Sequence, residues 1–348
     1  MKKISSLLLG VIILLSACKK ENPRDTPCSS LGNQQDWKKY EGNPVFVKGN
    51  KNSWDDGIVL GHSVIKTGST FRMWYSGGHS IQSVAAIGYA TSQDGIHWTR
   101  YSGNPIFTAT PGTWEEVAVG VPSVLQDGKT LRMWYTGGSN PDAGRIGYAT
   151  SSDGIHWNRH PSPVFTSRAG SWYADGIFPG TVIKENGVFK MWFSGATGSV
   201  SQSTPTSKGG IGYATSPDGI NWAVYDNPAT TTAPYQFSDP VVNYGPMGSW
   251  ESAAVLAPSV IRTKCGYEMW YAGEVFGGGQ HLGYATSPDG IRWTKDPANP
   301  VIKTDPWNLL LVFPSVMLDG NKYRMWYGAF VLDGEAVSGA IGYATMQK

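Results

Sequence analysis

The chain has 348 residues, with 28 Lys and Arg against 26 Asp and Glu. Charged residues make up 16% of it, below the roughly 25% usual in soluble domains. Its 44 Gly, 15 Trp and 17 Tyr exclude a disordered chain, a coiled coil and a collagen, and predict many turns joining aromatic-rich strands.

In chain order, residues 1–17 carry Lys2, Lys3 and an apolar run from Leu7 to Leu15 that is too short to span a bilayer permanently and reads as an export signal. Leu15-Ser16-Ala17-Cys18 resembles the bacterial lipoprotein box, which implies that Cys18 is lipidated and becomes the first residue of the mature chain. Lys19, where a signal for inner-membrane retention carries Asp, favours the outer membrane. Residues 18–36 are polar, lack hydrophobic periodicity and read as a flexible tether. Loss of Lys2 and Lys3 with the signal leaves 26 basic and 26 acidic side chains, so no charge excess favours nucleic acid. Cys28 lies in the tether and Cys265 in the globular part; an exported protein can pair them, but a mobile tether favours reading them as two independent thiols. No Cys/His spacing fits a structural metal site.

Residues 37–348 are built from repeats. The segment Phe71-Arg72-Met73-Trp74-Tyr75-Ser76-Gly77 returns around Trp134, Trp192, Trp270 and Trp326. Ile-Gly-Tyr-Ala-Thr starts at Ile87, Ile146, Ile211 and Ile341, with Leu282 opening a further copy, and Asp-Gly-Ile-x-Trp follows at Asp94, Asp153, Asp218 and Asp289. Each unit reads as four short strands: A ends in Ser-Val-Ile or a variant, B is Met-Trp-Tyr, C is Gly-Tyr-Ala-Thr and D begins at the last Trp. The fifth unit stops after strand C, and Trp37 to Phe46 matches Trp98 to Phe107, so the first segment supplies the missing strand. A ring needs that complement to remove an open edge, and a solenoid does not. The predicted fold is all-β: one five-bladed β-propeller of four-stranded blades, closed by an N-terminal strand that completes the last blade.

Strand direction alternates within a blade, so D-to-A connections and B-to-C loops share one face while A-to-B and C-to-D turns share the other. The Ser-x-Asp-Gly aspartates lie on C-to-D turns and read as turn formers; they also resemble the Asp-box of sialidase-like propellers, itself structural. The D-to-A connections carry Trp54, Trp114, Trp172, Trp250 and Trp307, with Asp55, Asp56, Glu115, Glu116, Asp175 and Glu251 just after the first four. Carboxylates that converge in an aromatic funnel push one another's pKa values apart, so that one serves as acid and another as base. Solvated loop acids beside a Trp are the competing reading. His62, on strand A, is either a packing residue or a ligand contact. His79, Asp142, Arg145, Glu274, His281, Asp333 and Glu335 join the same face from the B-to-C loops, whose varied lengths suit a specificity role.

These motifs together resemble the arabinanase, levansucrase and invertase superfamily, which includes glycoside hydrolase families 43, 32, 68 and 130. The resemblance spans residues 37–348 and implies a glycosidase that works by carboxylate acid/base chemistry on a poly- or oligosaccharide. At the strand A positions where family 43 carries acids, this chain has Gly61, Val121, Pro179, Ala257 and Phe313. Catalysis is therefore expected from Asp55 or Asp56 as base or nucleophile, Glu115 or Glu116 as acid or modulator, and Asp175 or Glu251 as general acid. Trp54, His62, Trp114, Trp172, Trp250, Trp307, His79, Arg145, Glu274 and His281 are the expected substrate contacts. The alternative is a glycan-binding propeller lipoprotein without turnover. No cofactor is required; a structural Ca2+ in the channel is compatible with the sequence, but no spacing indicates one. The expected partners are carbohydrate and, through the lipid on Cys18 alone, a membrane; the expected state is a monomer.

Overall fold

The computed structural model describes residues 36–348 apart from 81–83, 139–143, 198–207, 276–277 and 334–335, with backbone alone at 84–85, 333 and 336. Among the described residues the regular structure is entirely β. Short strands β1 (Lys38–Lys39) and β2 (Phe46–Val47) precede a first unit of β3 (Ile58–Thr67), β4 (Thr70–Gly78), β5 (Val84–Ser92), β6 (Thr99–Arg100) and β7 (Phe107–Thr108). The second unit is β8 (Ala118–Asp127), β9 (Thr130–Gly138), β10 (Arg145–Ser151) and β11 (Asn158–Arg159). The third is β12 (Gly176–Glu185), β13 (Val188–Thr197), β14 (Lys208–Ser216) and β15 (Ala223–Val224). The fourth is β16 (Ala254–Thr263), β17 (Gly266–Glu274), β18 (Gln280–Ser287) and β19 (Thr294–Lys295), and the chain ends in β20 (Leu310–Asp319), β21 (Lys322–Asp333) and β22 (Ala336–Gln347).

These strands form four sheets, none closed on itself. The largest joins the third and fourth units through a single parallel bridge, Gly209 to Ala254. The N-terminal segment pairs with the last strand, Lys38 opposite Thr345 and Phe46 opposite Ile341. Turn chemistry joins β5 to β6: Asp94 Oδ1 accepts the amides of Ile96 and His97, each at 2.8 Å, and Asp153, Asp218 and Asp289 repeat the arrangement. A side-chain acceptor two and three residues back is what an Asp-initiated turn requires.

The strand B Trp rings hold adjacent units together. Trp74 Nε1 donates to the Gly154 carbonyl at 2.7 Å, Trp134 to Gly219 at 2.8 Å, Trp192 to Gly290 at 2.8 Å and Trp326 to Gly95 at 2.7 Å. Each acceptor belongs to the turn of the following unit, and the Trp326 bond joins the last unit to the first. Trp270 is fully buried and its Nε1 has no hydrogen-bond partner among the described residues. Ion pairs on the A-to-B turns follow the same order: Lys184 to Asp127 at 2.9 Å, Arg262 to Glu185 at 2.8 Å and Lys66 to Asp319 at 2.8 Å.

One sequence expectation is corrected here. Cys265 is disulfide-bonded rather than an independent thiol. Cys18 and Cys28, the other cysteines of the chain, lie outside the described residues.

Candidate functional site at the channel mouth

The five A strands, β3, β8, β12, β16 and β20, surround a cavity of about 110 Å3, room for roughly three or four waters. They are stitched by side chain to backbone bonds: the amide of Val124 donates to Ser63 Oγ, Val260 to Thr181 Oγ1, Val316 to Ser259 Oγ and Val64 to Ser315 Oγ, at 2.9–3.1 Å. Each A strand has a bulge just before that Ser or Thr. It places Gly61, Val121, Ala257 and Phe313 at φ of 45–53°, a region that disfavours residues with a Cβ and above all a β-branched one. The cost is met by neighbouring hydroxyls, since the amides of Val121 and Ala257 donate to Ser76 Oγ and Ser194 Oγ at 2.7 and 2.8 Å.

The residue before each of these Ser or Thr is His62, Pro122, Gly180, Pro258 or Pro314, all lining the cavity. His62 alone carries a titratable group. It is 6% exposed, and burial lowers its pKa to about 4 against a small opposing effect of the Trp326 backbone, so it is a neutral imidazole near pH 7. No carboxylate lines this cavity.

The acids that follow the entrance Trp residues do not converge on it. Asp55, 1% exposed, accepts from the Tyr75 hydroxyl at 3.1 Å, Arg100 Nε at 3.0 Å and Ser53 Oγ at 3.0 Å. Glu115, 4% exposed, accepts from the Tyr135 hydroxyl at 2.6 Å and from Arg159 Nη1. Glu251, 6% exposed, accepts from the Tyr271 hydroxyl at 2.9 Å and Lys295 Nζ at 2.6 Å. Each acid joins strands B and D of its own unit. Burial pushes all three phenols well above the usual tyrosine range, so they stay protonated and donate. The third unit replaces the whole set at once, with Tyr173 after the Trp, Phe193 without a hydroxyl and Val224 for the cation. This co-substitution was visible in the sequence, and it marks the acid, the phenol and the cation as one packing device. In the fifth unit Asn308 takes the acid position and Lys39 turns to Asp305 at 2.7 Å.

The entrance Trp rings pack inward as well. A Cβ at Gly77 would come within 2.6 Å of Trp54, so the glycine is what admits the ring. Trp114, Trp172 and Trp250 lie over Tyr135, Phe193 and Tyr271 with ring centroids 6.1, 5.7 and 5.9 Å apart, and Trp307 packs against the core shared by the fourth and fifth units. Trp54, Trp114, Trp250 and Trp307 are half-buried and Trp172 is buried, because the small residues of strands B and C leave a groove that these rings fill.

The remaining predicted residues lie nearer solvent. Asp56 meets His79 Nδ1 at 2.7 Å, and this hydrogen bond, with one from the Asn52 amide, holds its carboxyl below the usual range. Glu116 and Asp175 are exposed, and Arg145 opens β10 half-buried. Glu274 ends β17 half-buried; burial raises its pKa against a hydrogen bond from Gln280 at 3.2 Å. His281 on β18 is lowered by burial and by Lys303 and Lys39. Asp333 closes β21; Asp142 and Glu335 lie outside the described residues. Among the described residues no group of three or more His, Cys, Asp or Glu is placed to hold a metal.

Residues 32–169 match the model of the glycosyl hydrolases family 32 N-terminal domain. The uncharacterized protein MT1551 of Mycobacterium tuberculosis is 30% identical over 246 residues, which are 67% of this chain and 73% of that protein. The chain belongs to the same family as this mycobacterial protein. Among solved structures, a glycosyl hydrolase from Bacteroides ovatus superposes with a TM-score of 0.68 at 19% identity, over 89% of this chain and 93% of its own. A beta-1,2-mannobiose phosphorylase from Listeria innocua superposes with a TM-score of 0.62 at 14% identity, over 90% and 97%. At these identities the likeness is one of fold: this all-β chain is consistent with the propeller type of those glycoside hydrolases. Asp56 and Glu274 are carboxyl groups on the same face of this chain whose surroundings push their pKa values in opposite directions.

Proposed function

We propose that the chain is an exported, lipid-anchored glycosidase. Residues 1–17 are its signal peptide, 18–36 a tether lipidated at Cys18, and 37–348 a single five-bladed propeller that β1 and β2 complete and that acts on a glycan at its channel mouth. The hydrogen bond from Val64 to Ser315 and the Trp326 clasp, both joining the last unit to the first, support the ring, and the disulfide at Cys265 fits an oxidising compartment.

The observation that carries the reading is the match to a glycosidase family model on a chain whose channel face bears carboxyl groups of opposed tendency. Asp56, kept ionised by His79, is the base or nucleophile. Glu274, kept protonated more readily by burial, is the general acid that protonates the leaving oxygen. Neutral His62 at the channel floor orients the sugar hydroxyls. Retention requires the two carboxyl groups roughly 5 Å apart in the working complex, and inversion roughly 6.5–9.5 Å.

Asp56→Asn and Glu274→Gln are each expected to lower turnover of a released-sugar substrate at least about a hundredfold while keeping the wild-type melting temperature. Unchanged turnover in both sinks the assignment. The absence of a carboxylate from the cavity lining favours a second reading, binding without turnover, in which oligosaccharide binds saturably and prolonged incubation yields no product.

A further inference from the structure

Cys265 lies on the exposed turn between β16 and β17, on the A-to-B face, opposite the channel mouth that holds Asp56 and Glu274. No other A-to-B turn carries a cysteine. The described chain begins on the same face and beside the same unit. Trp37 packs edge-on against Trp270, five residues past Cys265, with centroids 6.0 Å apart, and against Tyr323 at 6.5 Å. Lys38 pairs with Thr345, and the amide of Lys348 donates to the Asn321 carbonyl of the neighbouring turn at 2.9 Å. The nine residues from Cys28 to Trp37 reach at most about 30 Å, enough to return to Cys265. A sulfur held in a thioether to lipid is not available for a disulfide, so lipidation of Cys18 leaves Cys28 as the partner.

We propose that a Cys28–Cys265 disulfide staples the tether to the turn face of the fourth unit, so that this face is turned towards the lipid headgroups and the channel mouth away from them. The orientation, and the choice of Cys28 over Cys18, rest on the lipid-anchor reading above; that Cys265 is disulfide-bonded does not. The ten residues from Cys18 to Cys28 span at most about 35 Å, which holds the body close to the surface while the opposite face stays open to a soluble glycan. In forming the bond the two thiols lose two protons and two electrons to a disulfide of an oxidising protein, which leaves as a dithiol.

The test uses the full chain produced with its lipid and bound to phosphatidylethanolamine/phosphatidylglycerol vesicles. Peptide mapping without reduction is expected to give a linked Cys28–Cys265 peptide; a Cys18–Cys265 peptide, or Cys265 alkylated before reduction, overturns the staple. A dye on a non-canonical residue at position 129, on an exposed A-to-B turn, is expected to lose emission to a headgroup quencher. The same dye at position 247, where the native Met is 78% exposed on a D-to-A connection, is expected to keep it. Equal loss at both positions overturns the orientation. Flotation with the vesicles reads the anchor separately: a chain that shows the linked peptide but does not float keeps the staple and loses the anchor and orientation. Cys28→Ser is expected to float, to expose one titratable thiol at Cys265 and to reduce the difference between the two dyes.

Discussion

At the scale of the residue, burial separates groups that look alike in the sequence. Asp55 and Asp56 are neighbours, yet one is locked between Tyr75 and Arg100 and the other meets His79 near solvent. Removing one partner of a buried pair strands the other, at a cost of about 3–5 kcal/mol. Lys295→Ala is therefore expected to lower the denaturant midpoint markedly, whereas Lys38→Ala, at the exposed Asp36 pair, leaves it in place. His62 makes a pH prediction. Its folded pKa of about 4 lies below its ordinary value of 6.5, so below pH 6.5 the unfolded chain takes up the proton first. This contribution is fully present above pH 6.5 and is lost as pH falls towards 4, by about 3 kcal/mol in total. Unfolding of His62→Gln is expected to show a shallower decline between pH 6.5 and 4.5; an unaltered slope contradicts the burial.

At the scale of the element, the repeat motifs act between units rather than within them. The Met-Trp-Tyr strand sends its indole to a glycine carbonyl of the next unit, so the turn Asp, the turn Gly and the Trp form one clasp assembled across a junction. The exception at Trp270 makes the clasp measurable. Trp192→Phe and Trp270→Phe remove the same volume from equally buried sites, but only the first breaks a hydrogen bond. It is expected to destabilise by about 1 kcal/mol more, read as the difference between two denaturation midpoints. The strand A bulges likewise belong to pairs of units, since the hydroxyls of Ser76 and Ser194 hold the left-handed residues Val121 and Ala257 of the unit that follows.

At the scale of the whole molecule, the chain ends meet: β1 and β2 pair with β22, and Lys66 bridges to Asp319. Deleting residues 1–47 is expected to expose the β22 edge and give a chain that associates in size-exclusion chromatography, whereas deleting residues 1–35 keeps every strand pairing described and, with reductant present because the partner of Cys265 is removed too, is expected to stay dispersed. The four-strand units, their order, the complement at Trp37 and the turn role of the Ser-x-Asp-Gly aspartates were legible in the sequence. Each rests on local periodicity and turn chemistry, which repeat with the residues themselves. The candidate site was less legible. Proximity to a Trp suggested six acids, but Asp55, Glu115 and Glu251 are claimed by phenols and cations 20 to 45 positions further along the chain, and only packing brings those partners together. The sequence by itself determined an all-β repeat with three Trp per unit, because alternation and turns are encoded within a few residues. Tertiary structure alone decided which carboxyl groups are buried joining the strands of their own unit and which stay nearer solvent, because desolvation and pairing depend on neighbours from distant strands.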